Sequence, residues 1–300
     1  MKTEITPSLF KRLEQTLSRQ GLREVVLAAH SRKVSRLFPP EEQVPELVNL
    51  LEEAGLWVDL HNRKQIFTPD RGKGGWISGY GLEVDLSSPQ AGFIHLYLGR
   101  DPALVLAAKK AEHGHEYARF GELLGYPPCC VDFYKRHLAR AESEQGDFIL
   151  PLLDASLKSA SPAVFPAWTN VAAQYFNYGL LSFYPCSFHC ARAVAIARDS
   201  FRLLKAYDAP LAGLYLEKAR KPILYTEYEG LYLFNAAQRR GSWLYYDPGA
   251  LESSLEGVLA ALLRGGDRLK IISNQRLEVR KGPRLQARLE SPHLGLLLFA

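Results

Sequence analysis

Gly125-Tyr126-Pro127-Pro128-Cys129-Cys130-Val131-Asp132-Phe133 is the stretch on which the reading of this chain turns. Proline suits the first turn of a helix, because its missing N–H would be unpaired there anyway. A helix is therefore expected from Pro128 to about Ala141, with Cys129 and Cys130 in its first turn. A second stretch, Tyr184-Pro185-Cys186-Ser187-Phe188-His189-Cys190, opens with the same Tyr-Pro step. From it, Cys186, Cys190, Val194, Ala197, Phe201 and Leu204 recur every three or four residues, which predicts one continuous helical face carrying both thiols. The four cysteines are all the chain has.

Working outward, residues 2–56 read as mostly helical, with Leu9, Leu13, Leu17, Leu22, Val25 and Val26 at the recurring apolar positions. A second helix there opens at Glu41-Glu42 and stops at Gly55. Strands are expected at 65–68 and 93–98, separated by a glycine-rich segment, residues 70–81, that lacks phosphate-loop spacing and reads as a surface loop. Asp101-Pro102 pairs a capping residue with proline at the first helical position. The helix it starts should break near Gly114 and Gly121. Beyond Lys221-Pro222 the pattern turns to strands at 223–228, 231–234, 242–246, 268–273, 275–281, 284–290 and 293–299, interrupted by one helix over 251–262. The fold class is α+β: a mixed N-terminal region over 1–100, a helical cysteine-bearing middle over 101–210, and a β-rich C-terminal region over 211–300.

Two helix N-termini meeting would bring four sulfurs to one point, with positive dipole ends facing negative thiolates. Four thiolates can hold a tetrahedral zinc or an iron–sulfur cluster, including the [4Fe–4S] type. Adjacent side chains on a helix diverge by about 100°, which argues against both Cys129 and Cys130 on one ion and favours a cluster. The expected protein is an iron–sulfur enzyme or an electron- or sulfur-transfer protein, in the redox or sulfur-transfer class. Zinc in a nucleic-acid-binding or RNA-modifying protein, a thiol–disulfide protein, and plain core packing of the cysteines remain open beside it.

Around the thiols, Asp132 and His189 lie close enough in sequence to act as extra ligands or proton-handling groups. Glu112-His113-Gly114-His115-Glu116 adds His113, His115 and Glu116 as candidates. Its Glu-x-x-His spacing matches half of a carboxylate-bridged di-iron motif, whose second copy is missing. Asn170, Asn177 and Arg192 are candidate pocket residues beside the aromatic run from Trp168 to Tyr184. The segment from His115 through Leu123-Leu124-Gly125-Tyr126-Pro127-Pro128-Cys129-Cys130-Val131 resembles the signature of an uncharacterised prokaryotic domain family. That family has a Leu-Gly-Tyr-Pro-x-Cys-Cys-Val core and a later Pro-Cys-x-x-x-Cys motif, here Pro185 to Cys190. The resemblance implies a shared cysteine site and no particular reaction.

Composition sets the outer bounds. The 300 residues, 47% apolar and 23% charged, are those of a globular protein with a real core. No apolar run reaches the roughly 20 residues of a membrane span, and the start lacks a secretory pattern. A cytoplasmic protein without membrane contact is expected, its small-molecule or redox partner unspecified. The net charge of +5 is uneven: residues 264–288 hold eight Lys/Arg against Asp267 and Glu278. There Arg284, Gln286 and Arg288 alternate with Leu285, Ala287 and Leu289 as a strand with one wet, positive face. Such a face fits RNA phosphates or a plain solvated hairpin.

Overall fold

The computed structural model describes residues 5–67, 81–143, 147–157 and 162–300, and its fold is α+β. The glycine-rich segment expected as a loop falls mostly outside the described residues. The described chain divides into two compact units, one of residues 5–67, 81–136 and 195–213, the other of residues 137–143, 147–157, 162–194 and 214–300.

In the first unit, Thr6 and Ser18 cap helices α1 (Pro7–Thr16) and α2 (Arg19–His30) by accepting from the Leu9 and Gly21 amides. Leu9, Leu13, Leu22, Val25 and Val26 are buried as their spacing predicts, whereas Leu17, the C-cap residue of α1, is only half-buried. Strand β1 (Ser35–Leu37) follows, then α3 (Val44–Glu53), which Gly55 ends with φ 67°. Glu41 and Glu42 form a 3-10 turn ahead of α3 rather than its first turn. Strands β2 (Trp57–Phe67), β3 (Gly81–Asp85) and β4 (Phe93–Gly99) complete an antiparallel sheet in the order β1-β4-β2-β3. β2 begins eight residues earlier than the sequence suggests. The polar run Asp59–Lys64 hides it, yet Lys64 is 2% exposed, its ammonium held 2.6 Å from Glu41 and 2.7 Å from the Ser88 carbonyl. Helix α4 (Pro102–His113), capped by Asp101, lays Val105, Ala108 and Ala111 into a core with Tyr97 and Leu123. It breaks at His115, whose φ is 53°, before α5 (Tyr117–Leu123) and α6 (Pro128–Ser143).

α7 (Ile149–Ser156) and short 3-10 turns of the second unit lead to α8 (Ala191–Tyr207) and α9 (Ala209–Ala219), whose residues 195–213 belong to the first unit. Strands β5 (Ile223–Thr226) and β6 (Gly230–Phe234) are buried along their whole length, matching their unbroken apolar runs. β7 (Ala237–Arg240), β8 (Trp243–Tyr246) and β9 (Leu251–Ser253) follow, then α10 (Val258–Gly265). β10 (Arg268–Ser273), β11 (Arg276–Lys281), β12 (Arg284–Glu290) and β13 (Leu294–Leu297) close the chain. Two sheets result, ordered β13-β5-β6-β9 and β12-β11-β10-β8-β7. Leu224, Leu244, Leu269 and Leu277 share one core with Leu259 and Leu263 of α10. The helix expected over 251–262 starts late, because Leu251 and Glu252 pair with Phe234 and Leu233 as an edge strand. The positive face expected on β12 is also redrawn. A bulge shifts the β11–β12 register between Val279 and Arg280, so Arg288 pairs with Glu278 while Arg284 pairs with Lys281 on the other side of the pleat.

Candidate metal centre

The first cysteine pair is placed by a helix stop followed at once by a helix start. Gly125, with φ 74°, ends α5. The Tyr126 amide donates to the Gly121 carbonyl at 2.9 Å and the Gly125 amide to Glu122 at 3.0 Å, which closes the helix in a Schellman arrangement. Pro127 then caps α6: its carbonyl accepts from the Cys130 amide at 2.8 Å and the Val131 amide at 3.0 Å. Cys129 and Cys130 occupy the first turn of α6, as the sequence predicts. Gly121 lets α5 and α6 approach, since a Cβ there would lie 2.7 Å from Val131 Cγ2.

The second pair is placed differently from the sequence expectation. α8 starts at Ala191, so Cys186 lies in the loop before it and the two thiols do not ride one helical face. Cys190 is the cap, its carbonyl accepting from the Val194 amide at 3.0 Å. The loop stays out of the helix because its middle is bonded elsewhere. The Phe188 amide donates to Ser156 Oγ at 2.8 Å, and its carbonyl accepts from Thr169 Oγ1 at 2.6 Å. Its ring is buried 4.6 Å from Phe165 and 5.5 Å from Phe299. The Ser187 hydroxyl accepts from the His189 amide at 3.1 Å. At the loop's entry, Tyr184 Oη stands 2.7 Å from Tyr175 Oη, which donates to Asp147 at 2.9 Å. Burial pushes Asp147 up to about 6, against the hydrogen bonds from the Ile149 amide and Tyr175 that favour its ionised form. Ser156, Thr169 and Asp147 are absent from the sequence-level site, whereas Tyr175 belongs to the aromatic run named there. Only Asp147, a capping-type residue just ahead of the apolar run Phe148–Leu153, offered a local signal.

The sulfur atoms of Cys129, Cys130, Cys186 and Cys190 all lie within 4.8 Å of one another. Cys130 and Cys190 are buried at 2% and 9% exposure, and Cys129 and Cys186 are half-buried. This set is compatible with a metal site, and it is the one group of potential ligands that comes together so closely among the described residues. The Cys129 and Cys130 sulfurs are 3.9 Å apart. Four sulfurs at roughly 2.3 Å from one tetrahedral ion stand about 3.8 Å apart, so helical adjacency does not keep this pair off a single ion.

None of the other candidates is among that group of ligand atoms. Asp132 and His189 are exposed; the Asp132 carbonyl accepts from Arg136, and His189 packs 5.5 Å from the Phe165 ring. His113 lies in the last turn of α4 with its ring stacked 4.1 Å from His61. Burial, then the neighbouring His61 and Lys109, push its imidazole downward. Burial, Arg36 and His61 hold the adjoining His95 down to about 2. His115 and Glu116 form the exposed break between α4 and α5, with the Tyr117 hydroxyl 3.3 Å from His115 Nδ1. Asn170 is structural: it caps the 3-10 turn at Ala173 and donates to the Ala219 carbonyl at 2.9 Å. Asn177 ends that turn with φ 68°, and Arg192 is exposed in the first turn of α8.

Fold and site together define an α+β protein with a preformed four-cysteine centre. No family model, curated protein or solved structure matches the chain. Among the described residues no helix is long and apolar enough to cross a membrane.

Proposed function

We propose that Cys129, Cys130, Cys186 and Cys190 hold one zinc ion as four thiolates, and that the ion's role is to fix the start of α6 and the loop before α8. The observation that carries this reading is the sulfur spacing: all separations fall within 4.8 Å, and the adjacent pair stands at 3.9 Å. Around a single ion the sulfurs need close by no more than about 1 Å to reach tetrahedral edges. Around a [4Fe–4S] cube, irons and sulfides lie between the thiolates, which stand roughly 6 Å apart. The two stretches would have to open to accept it. Four sulfur ligands also leave no open coordination position, which is the pattern of structural rather than catalytic zinc.

A disulfide between the neighbours is poorly served. Adjacent Cα atoms are about 3.8 Å apart, below the usual range of roughly 4.4–6.8 Å for bridged cysteines. Metal and acid-labile sulfide analysis, with an absorption spectrum, tests the proposal on anaerobically purified protein. The expected result is one zinc per chain, no sulfide, a colourless protein, and loss of the metal in Cys190→Ser. Iron with stoichiometric sulfide and a broad visible absorption would replace zinc with the cluster and restore the redox or sulfur-transfer reading. Metal-free protein whose four thiols react at once with a thiol reagent would refute both.

A further inference from the structure

The sheet β12-β11-β10-β8-β7 has one face in the core and one that carries cations and aromatic rings. Leu244, Leu269 and Leu277 point inward, so their strand neighbours point the other way. Cross-strand partners share a face, and the register sets these residues in two rows. Gln238, Tyr245, Arg268 and Arg280 form one row. Arg240, Trp243, Lys270, Glu278 and Arg288 form the other. Five cations on these rows face one carboxylate among them, Glu278, and a second beside them, Asp267, which pairs with Arg268 at 2.8 Å. The guanidiniums lie over the rings: Arg280 is 5.8 Å from the centre of Trp243, and Arg240 and Arg268 are 5.6 and 5.2 Å from that of Tyr245.

We infer that this face binds single-stranded nucleic acid, with bases stacked on the Trp243 and Tyr245 platform and phosphates held by the surrounding cations. Bases stack on aromatic rings and on guanidinium planes alike, so the existing ring–guanidinium layers already have the right chemistry. Partly exposed cation–π contacts are weak, which lets a base displace or cover a guanidinium at small cost. A duplex hides its base faces and gains nothing from the two rings. Glu278 is 6% exposed and bonded to Arg280 at 2.9 Å and Arg288 at 3.5 Å, so it anchors these cations beneath the face rather than meeting the ligand. The inference is independent of the metal centre.

Fluorescence anisotropy of a labelled 20-nucleotide oligouridine against the full chain, across a salt series, tests it. The wild-type protein is expected to bind with affinity falling steeply with salt, and Lys270→Ala/Arg288→Ala should make the log–log slope shallower by about 1.4. Trp243→Leu should weaken binding about tenfold with the slope unchanged, since it removes stacking rather than charge, and Trp243→Phe should retain most of the affinity. Thermal unfolding monitors folding of each variant. Arg240→Ala, at the exposed edge strand, gives a second readout that does not disturb the core, and should weaken binding severalfold. Salt-insensitive or undetectable binding overturns the inference. So does equal or tighter binding of duplex RNA, or wild-type affinity in both Trp243→Leu and Arg240→Ala.

Discussion

Gly121→Ala sets two effects of known sign against each other at the first cysteine pair. Gly121 lies inside α5, and replacing a helical glycine with alanine is ordinarily worth about 1 kcal/mol of added stability. Here the new methyl would meet Val131 Cγ2 at 2.7 Å, with Cγ1 at 3.5 Å and Tyr126 Cδ2 at 3.7 Å. To reach an ordinary contact of 3.4 Å the helices must part by 0.7 Å, or Val131, itself buried, must leave its rotamer. Overpacking of this kind costs about 1–3 kcal/mol, so the net expectation is a loss of about 1 kcal/mol. Because Val131 follows Cys130 directly, any parting also moves two of the four sulfurs. Zinc affinity should fall by about tenfold, the scale on which supports behind metal ligands act. Val131→Ala removes the atom that clashes, so Gly121→Ala should cost less in that background than in the wild type. Urea unfolding of the two single variants and the double variant gives the coupling, and competition with a chromophoric zinc chelator gives the affinity. Additive stabilities within about 0.5 kcal/mol, or Gly121→Ala that is more stable with unchanged zinc affinity, would refute the packing argument. Gly125→Ala provides the contrast: no atom lies within 4 Å of its Cβ, but φ is 74°, so it should cost about 1–2 kcal/mol through backbone strain alone.

Three further outcomes follow from buried charges. Asp147 has a folded-state value of about 6 against an ordinary value near 3.9; its contribution is therefore complete below about pH 4 and lost as pH rises through 6. Wild-type stability should fall by up to about 3 kcal/mol relative to Asp147→Asn between pH 4 and 7, measured by urea unfolding at each pH. His95, lowered to about 2, acts in the opposite direction: its contribution is present above pH 6.5 and is lost progressively as pH falls toward 2. Its imidazole resonances should stay in the neutral position by NMR from pH 8 to pH 4. Glu41→Gln keeps an acceptor oxygen for the Lys64 ammonium, 2% exposed, beside the Ser88 carbonyl but removes the charge that balances it. The half-open position of Glu41 limits the expected loss to about 1–3 kcal/mol, and Lys64→Met should lose less because it removes the buried charge as well.

The chain declares its helix ends and strands more plainly than it declares its sulfur geometry, and the reason is the range over which each is decided. Asp101-Pro102 and the Gly-Tyr-Pro-Pro step carry caps whose partners lie within five residues, so local chemistry determines them. The unbroken apolar runs at 223–225 and 231–234 likewise state their own burial. Cys186 and Cys190 satisfy helical spacing equally well, yet the segment is a loop because Phe188 is bonded to Ser156 and Thr169, which lie 32 and 19 residues away. Propensity at 186–190 is overridden by partners that no local window contains. β2 and the redrawn face of β12 are concealed in the same way, the first by a lysine whose charge is met by Glu41 and the second by a bulge visible only in the pairing. The consequence reaches the chemistry. Which residues supply the sulfurs is legible in the sequence, since the chain has no other thiols. The separations on which the zinc proposal rests, 3.9 Å for the neighbours and at most 4.8 Å within the set, are not. Those separations depend on Gly121, Ser156 and Thr169, residues that bind nothing themselves and whose substitution should alter metal preference before it alters the fold.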